Sequence, residues 1–274
     1  VSFQVKDSGA TSRGVQDGEG TNSGASALAS AGFPVQNPVV NWGSPEVKND
    51  YKVIINAGLP ISDSAELYTF ANYATRDVDG SFFYRNPTNR TGVFSSGGNV
   101  LFADTTGAGG CPVGALPTSS FTDAQAFIDS APSNCFAFNS QFPGGFTPRF
   151  GGNVTDYSIA FGVKGDLSDN MTYDISVING ENNLKYQLLN SINASLGPET
   201  PVDFDLGSQI ENETVFNADF VTGYELGLAS ELNVAFGLQY HKETFEITAG
   251  QEESYIAGPY VSQGFSVGSN GFQG

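Results

Sequence analysis

The sequence predicts an all-β protein whose strands form one antiparallel sheet. Apolar and polar side chains alternate with a period of two along several segments, which places each set on its own face of a strand. The composition agrees, because 34 Gly, 22 Phe and 11 Tyr accompany only 15% charged residues. Ordinary soluble domains carry about 25% charged residues. Such a chain favours a β-structure with an outer surface that is not highly charged.

The alternating segments predict six full strands and the end of another. They are 1–7, 51–59, 65–76, 153–164, 171–177, 216–226 and 232–241. The pattern is cleanest at 153–164, where Tyr157, Ile159 and Phe161 share one face and Asp156 and Ser158 share the other. At 65–76 both faces are mixed.

Short and long connections alternate strictly along the chain. Short polar turns lie at 61–64, 168–170 and 229–231, and they predict antiparallel hairpins. Long loops cover about 8–50, 77–152, 181–213 and 248–274. Loops this long are uncommon in compact domains and are usually functional. Within them, 122–129 predicts a short helix capped by Thr122, and 23–30 predicts another.

This arrangement places every short turn at one end of the sheet and every long loop at the other. With strands of nine or more residues, it is typical of a bacterial outer-membrane β-barrel, which is apolar outside and polar inside. We therefore expect an open, curved piece of such a barrel. A soluble β-sandwich also alternates, although it seldom gathers all its long loops at one end. The expected lipid side carries Tyr157, Ile159, Phe161, Phe220, Phe236 and Leu238, and the expected inner side carries Asp156, Asp174, Asp219 and Gln239.

The net charge and the hydropathy of the chain exclude several classes of function. The chain has 29 Asp plus Glu against 11 Lys plus Arg, a net charge of -18. This argues against a nucleic-acid partner, because phosphate contacts need clustered cations. The sequence contains no run of 18 apolar residues, so it predicts no transmembrane helix, and no signal peptide is visible. Because the only methionine is Met171, we expect the chain to be an internal piece of a longer protein.

The two cysteines, Cys111 and Cys135, are 24 residues apart in a stretch rich in Gly, Pro and Ser. A zinc site is disfavoured, because it needs four nitrogen or sulfur ligands and His241 is the only histidine. A disulfide formed in an oxidising compartment is the favoured interpretation, and two unrelated thiols are the alternative. Little apolar sequence is available to hold this stretch otherwise.

The sequence gives no support for an enzyme, a cofactor or a metal site. No G-x-S-x-G elbow accompanies His241, and no phosphate-binding lysine follows the Gly runs. Asp77 and Asp79 open a motif like a calcium loop, but Asn86 stands where an EF-hand requires Glu. A solvated acidic turn is the favoured interpretation, and calcium binding by the loops stays open.

Several further stretches resemble the β-barrel of TonB-dependent outer-membrane receptors of Gram-negative proteobacteria. They are ATSRG at 10–14, NWGSPEVK at 41–48, ELYTFANY at 66–73, FYRNP at 83–87, RTGVF at 90–94, FPGGFTPRFGG at 142–152, NASLGP at 193–198, NVAFGLQY at 233–240 and ETFEI at 243–247. The likeness covers nearly the whole chain, and the order and spacing of the stretches carry it. No single motif is decisive.

The resemblance implies a 22-stranded barrel filled by an N-terminal plug and located in the outer membrane. It implies active uptake of ferric siderophores, cobalamin or glycans, energised by the TonB complex through a plug that this piece lacks. Expected partners are the nutrient ligand, outer-membrane lipid and lipopolysaccharide. A plug-free porin or adhesin-like barrel and a soluble secreted carbohydrate-binding module are the alternatives.

Five residues are candidates for ligand binding, since arginine captures carboxylate or phosphate and aromatic rings bind flat ligands or sugar faces. They are Trp42, Tyr84, Arg85, Arg90 and Arg149. The alternative is that each arginine pairs with a nearby aspartate, such as Asp77 or Asp79, and stabilises a loop.

Overall fold

A computed structural model describes residues 1–14, 16 and 24–269. A single seven-stranded antiparallel sheet dominates it, in the order β1-β2-β3-β8-β9-β10-β11. Its strands are β1 (Ser2–Ser8), β2 (Glu46–Ser62), β3 (Ala65–Ser81), β8 (Arg149–Ser168), β9 (Met171–Leu189), β10 (Phe204–Tyr224) and β11 (Leu232–Ala249). The all-β prediction is confirmed.

The remaining elements are short and lie within the connections. They are α1 (Ala25–Ser30), β4 (Ser95–Ser96), β5 (Asn99–Val100), β6 (Ala103–Asp104), α2 (Phe121–Asp129) and β7 (Cys135–Phe136), with 3-10 turns at Phe138–Ser140, Ala194–Glu199, Glu252–Ser254 and Val261–Gln263. Helix α2 is capped by Ser120, whose hydroxyl accepts from the Asp123 amide, so the expected Thr122 cap is wrong by two residues. The helix expected at 23–30 begins at Ala25, and Ser23 lies outside the described residues. No helix of the described part is long and apolar enough to cross a membrane.

The sheet is open. Within the described residues β1 pairs only with β2, and β11 pairs only with β10, so these two strands are its edges. The three short turns lie together at one end, which we call the turn end. The Asp166 amide donates to the Ser64 carbonyl at 2.9 Å, and the Gly223 amide donates to the Asn170 carbonyl at 2.9 Å. The long connections leave from the opposite end, the loop end.

The strands extend further toward the loop end than the apolar alternation predicts. The first three connections are therefore 9–45, 82–148 and 190–203, each shorter than expected, and the fourth begins at 250. The added strand residues break the alternation, because polar residues such as Asn182 and Asn183 on β9 occur on both faces among scattered apolar ones. Backbone pairing continues there without the hydrophobic pattern that marks a strand in sequence.

These four connections pack into one folded unit, which we call the cap. Except for Ala160 and Val215, every buried apolar side chain of the described residues belongs to the cap or to the loop ends of strands. The largest cluster joins three connections, since Phe94 and Phe138 pack with Ile192 and Phe265. A second cluster places Leu28 and Phe33 against α2 and the two cysteines. The sheet below the cap has almost no core of its own.

Candidate functional site

One face of the sheet is mostly apolar, and we call it the apolar face. Directly paired residues of antiparallel strands share a face, so the register carries this face across the sheet. Phe161 on β8 lies between Thr69 on β3 and Val177 on β9. The rings of Phe220 and Phe236 stack across β10 and β11 with centroids 5.4 Å apart.

The apolar face is exposed rather than packed against another layer. Phe161 is 53% exposed and Leu238 is 76% exposed. None of the six side chains expected on the lipid side is buried, as predicted. An apolar surface of this extent marks an interaction site for a membrane or another protein.

The height of the apolar face differs between strands. On β2 it runs from Tyr51 to Ile61, ten residue steps, whereas on β9 it runs from Met171 to Val177, six steps, because Asn179 follows on the same face. At about 3.3 Å per residue and the tilt of about 40° found in barrels, ten steps would span about 25 Å. The longest strands could therefore match the apolar band of an outer-membrane barrel, about 25 Å tall.

Tyrosines mark the boundary of this band toward the loop end. Tyr73 on β3 pairs directly with Tyr157 on β8, and Tyr240 on β11 pairs with Phe216. Beyond this row the same face turns polar, with Thr155 and Lys242 next along their strands. Tyrosine favours such a boundary because its ring is apolar and its hydroxyl is polar.

The opposite face, which we call the polar face, carries a hydrogen-bonded network. The Asp156 carboxylate accepts from the Asn72 amide at 3.2 Å and from the Asn182 amide at 3.1 Å. Gln239 donates to Asn217 at 2.9 Å. This face also carries exposed apolar side chains as exceptions, namely Ile54, Phe70, Val221, Phe245 and Ile247.

The cap contains the disulfide, and that prediction is confirmed. Cys111 and Cys135 are bonded, with Cα atoms 5.5 Å apart. The expected reason is incomplete, because both cysteines also pack against the second cap cluster, which includes Leu28 and Phe33. Apolar residues from well outside the 24-residue interval hold this stretch in addition to the covalent bond.

A polar knot lies beside the disulfide. The Asp104 carboxylate accepts from the Asn134 side chain at 2.9 Å and from the amides of Gly109 at 2.6 Å, Thr106 at 3.2 Å and Gly107 at 2.9 Å. The Asn134 bond, followed by the backbone bonds, lowers the pKa of Asp104 to about 2. The glycine run at 107–110 is therefore an ordered turn around a charged carboxylate.

The structure separates the five candidate ligand-binding residues. Tyr84 and Arg85 are 3% and 4% exposed. Tyr84 donates to the Gly144 carbonyl at 2.7 Å and packs with Val39 and Val40. Burial raises the pKa of Tyr84 well above its usual range. These contacts indicate that Tyr84 stabilises the cap.

The Arg85 guanidinium lies 5.5 Å from the centre of the Phe82 ring and donates to the Phe83 carbonyl at 3.1 Å. Burial, followed by the charge of Arg90, lowers the pKa of Arg85 to about 10. Arg90 is half-buried, and burial lowers its pKa as well. Arg85 therefore lies in the cap interior, whereas Arg90 is only partly accessible.

Trp42 and Arg149, in contrast, line one cleft of about 810 Å³. It lies between the β1–β2 connection and the loop ends of β3 and β8. The other lining residues include Asn41, Glu46, Asp79, Thr147 and Asn190. Arg149 Nη1 lies 3.5 Å from Asp79 Oδ2, so the aspartate pairing considered above is present for Arg149.

The sequence interpretation missed several members of this cleft. Asn190 was not singled out, although its backbone is left-handed at φ 53, a conformation that asparagine tolerates better than most residues. Its side chain donates to the Thr147 carbonyl at 2.9 Å. Five separate chain segments meet here, and no local pattern in the sequence marks the meeting.

Comparison with protein-family models, with curated proteins and with solved structures finds no match to this chain.

Proposed function

We propose that this chain forms part of the wall and outer loops of an outer-membrane receptor that takes up a nutrient in a TonB-dependent manner. The observation that carries the proposal is the exposed apolar band, up to about 25 Å tall at the strand tilt of a barrel and bounded by tyrosines on the cap side. An exposed band of that height fits lipid, and the cap then lies outside the cell.

The open edges of the sheet fit a larger barrel. Unpaired backbone groups are costly in lipid, so β1 and β11 require further strands as partners. Seven strands are about a third of the 22 that the family resemblance implies. We propose that the missing strands complete a closed wall, with the polar face inside.

A closed wall requires the sheet to curve toward its polar face, and small residues on that face favour such curvature. Gly58, Gly162, Gly180, Gly223 and Gly237 all lie on it, whereas large apolar side chains fill the other face. A sheet bends more easily toward the face with smaller side chains, and glycines in strands commonly accompany such bends.

Surface labelling tests the membrane orientation. Glu253 is exposed in the cap, and Ser230 is exposed in the turn between β10 and β11. In the full-length protein in intact cells, a membrane-impermeant maleimide should label Glu253→Cys directly and should label Ser230→Cys only after the outer membrane is permeabilised. Direct labelling of both positions would contradict the orientation.

Uptake measurements separate active transport from a passive porin. Cells carrying the full-length gene are compared with a deletion strain for growth on limiting ferric siderophore, cobalamin or glycan. Energised uptake should disappear when TonB is removed, even though the receptor still reaches the outer membrane. Uptake that persists without TonB would favour the plug-free porin.

A further inference from the structure

We propose that the Trp42–Arg149 cleft binds a neutral polyhydroxylated ligand, a saccharide unit, with the indole of Trp42 as its platform. This inference names the substrate class of the proposed receptor and rests on that function only in assigning the bound ligand to transport. Four observations carry it: a fixed aromatic surface, mixed hydrogen-bonding groups, balanced charge and a suitable volume.

The platform is exposed and held in place. Trp42 is 45% exposed, and its ring meets Phe83 edge to face with centroids 5.5 Å apart. Its carbonyl accepts from the Arg13 amide at 3.0 Å, and the preceding Asn41 amide donates to Ser81 Oγ at 3.3 Å. A platform fixed before binding loses little entropy when a ligand stacks on it.

Glycine makes the tight support of this platform possible. A Cβ added at Gly43 would lie 2.2 Å from the Thr11 carbonyl oxygen, so only glycine allows this approach of the two chain segments. The Thr11 amide donates to the Ser44 carbonyl, and the Ser44 amide donates to Thr11 Oγ1, both at 3.1 Å. The segment that carries Trp42 is thereby tied to the segment that leaves β1.

The polar groups of the cleft include both donors and acceptors. Arg149 offers guanidinium donors, Asp79 offers carboxylate acceptors, and the amides of Asn41 and Asn190 offer both kinds. A sugar ring presents hydroxyl groups that donate and accept, together with an apolar face of C–H groups. The cleft therefore complements both surfaces of a sugar ring.

The charges in and beside the cleft are balanced. Arg149 pairs with Asp79 at 3.5 Å, and Glu46 pairs with Lys48 at 3.0 Å. An anionic ligand would meet no uncompensated cation from these pairs, and a net charge of -18 repels it at longer range. A neutral ligand avoids that repulsion. The volume of about 810 Å³ lies within the range of about 300–1,000 Å³ that is common for ligand pockets.

Trp42 supplies the readout, because it is the only tryptophan in the chain. The full-length protein in detergent and its Trp42→Phe variant, whose difference isolates the signal of Trp42, are titrated with maltohexaose, xylohexaose and cellohexaose, while tryptophan emission is recorded. Inorganic phosphate and citrate serve as anionic probes. We expect a saturable emission shift with at least one oligosaccharide and none with the anions. No saturable shift with any oligosaccharide, or a shift caused by the anions, would overturn the inference.

Variants tie the signal to the cleft. Asp79→Asn and Arg149→Gln should each weaken binding of the active oligosaccharide by about tenfold, because each removes a charge-assisted hydrogen bond. Lys185→Gln is the matched control, since Lys185 pairs with Asp205 at 3.1 Å and does not line the cleft. In calorimetry, Trp42→Phe should retain binding and Trp42→Ala should lose it. Equal losses in Lys185→Gln would contradict the assignment.

The two proposals fail separately. Flotation of the protein with lipid vesicles reports membrane insertion without any sugar, and the emission titration in detergent reports sugar binding without a membrane. A protein that inserts but does not bind sugar contradicts only the ligand inference. One that binds sugar but never inserts contradicts the receptor.

Discussion

The hydroxyl of Tyr68 on β3 donates a hydrogen bond of 2.6 Å to Asp174 Oδ1 on β9, across the whole width of β8. The path is open because Gly162 on β8 pairs directly with Tyr68 and has no side chain. A Cβ added at Gly162 would lie 2.3 Å from Tyr68 Cζ. One tyrosine thus links three strands of the polar face.

We therefore expect Gly162→Ala to destabilise the sheet by about 1–3 kcal/mol, because the new methyl group displaces the Tyr68 ring. The measurement is urea unfolding of the full-length protein in lipid vesicles. Gly9→Ala is the control, since nothing lies within 4 Å of a Cβ at that position. Equal stability of the two variants would show that the ring moves aside at no cost.

The disulfide should stabilise the cap but not the sheet. Replacing both cysteines by serine removes a closure worth about 3–4 kcal/mol for an interval of 24 residues by the chain-entropy estimate. Hydrogen exchange should then accelerate for cap amides at 100–136 and stay unchanged in β8 and β9. Reduction of the native protein should reproduce this pattern. Faster exchange in the strands would contradict the separation of cap and sheet.

The Asp104 knot predicts acid sensitivity of the cap. The pKa of Asp104 is lowered to about 2 in the folded protein, against its ordinary value of 3.8. Because folding lowers the pKa of Asp104, its carboxylate stabilises the cap fully at a pH above the pKa of the unfolded state. This stabilisation is lost as pH falls through the pKa of the folded state. Proteolysis of the 104–110 turn should therefore accelerate as pH falls from about 4 toward about 2.

Asp104→Asn should remove this pH dependence and leave the turn open at neutral pH. An acid-stable protease is required for the measurement. Asp63→Asn, in the turn between β2 and β3, is the control and should keep the native profile. A native profile in Asp104→Asn would show that another group controls the cap.

The sheet was predictable because its signal is local. Alternation at 153–164 and the short turn at 168–170 specify β8, β9 and their hairpin without any distant contact. The disulfide was predictable from the presence of two cysteines in a chain with no alternative partner for them. None of these inferences requires knowledge of how the long loops fold.

The cap was not predictable, because its contacts join residues far apart in the chain. Phe94 reaches Ile192 and Phe265, and no periodic pattern marks loop residues as buried. For the same reason Tyr84 and Arg85 looked like ligand-binding residues, whereas the fold places them in the cap interior. Adjacent polar and aromatic residues have the same sequence pattern whether they face solvent or a core.

Adjacent substitutions on opposite faces of β11 test the membrane account most directly. Leu238 lies on the apolar face and is 76% exposed, and Gln239 lies on the polar face. In the full-length protein folded into vesicles, Leu238→Arg should cost about 1–2 kcal/mol, because Leu238 lies between the centre of the band, where a cation costs about 2–4 kcal/mol, and the tyrosine boundary, where it costs little. Gln239→Arg should change the folding free energy far less. If Leu238→Arg is neutral or makes the protein more soluble without lipid, the apolar face meets water or protein, and the receptor account is contradicted.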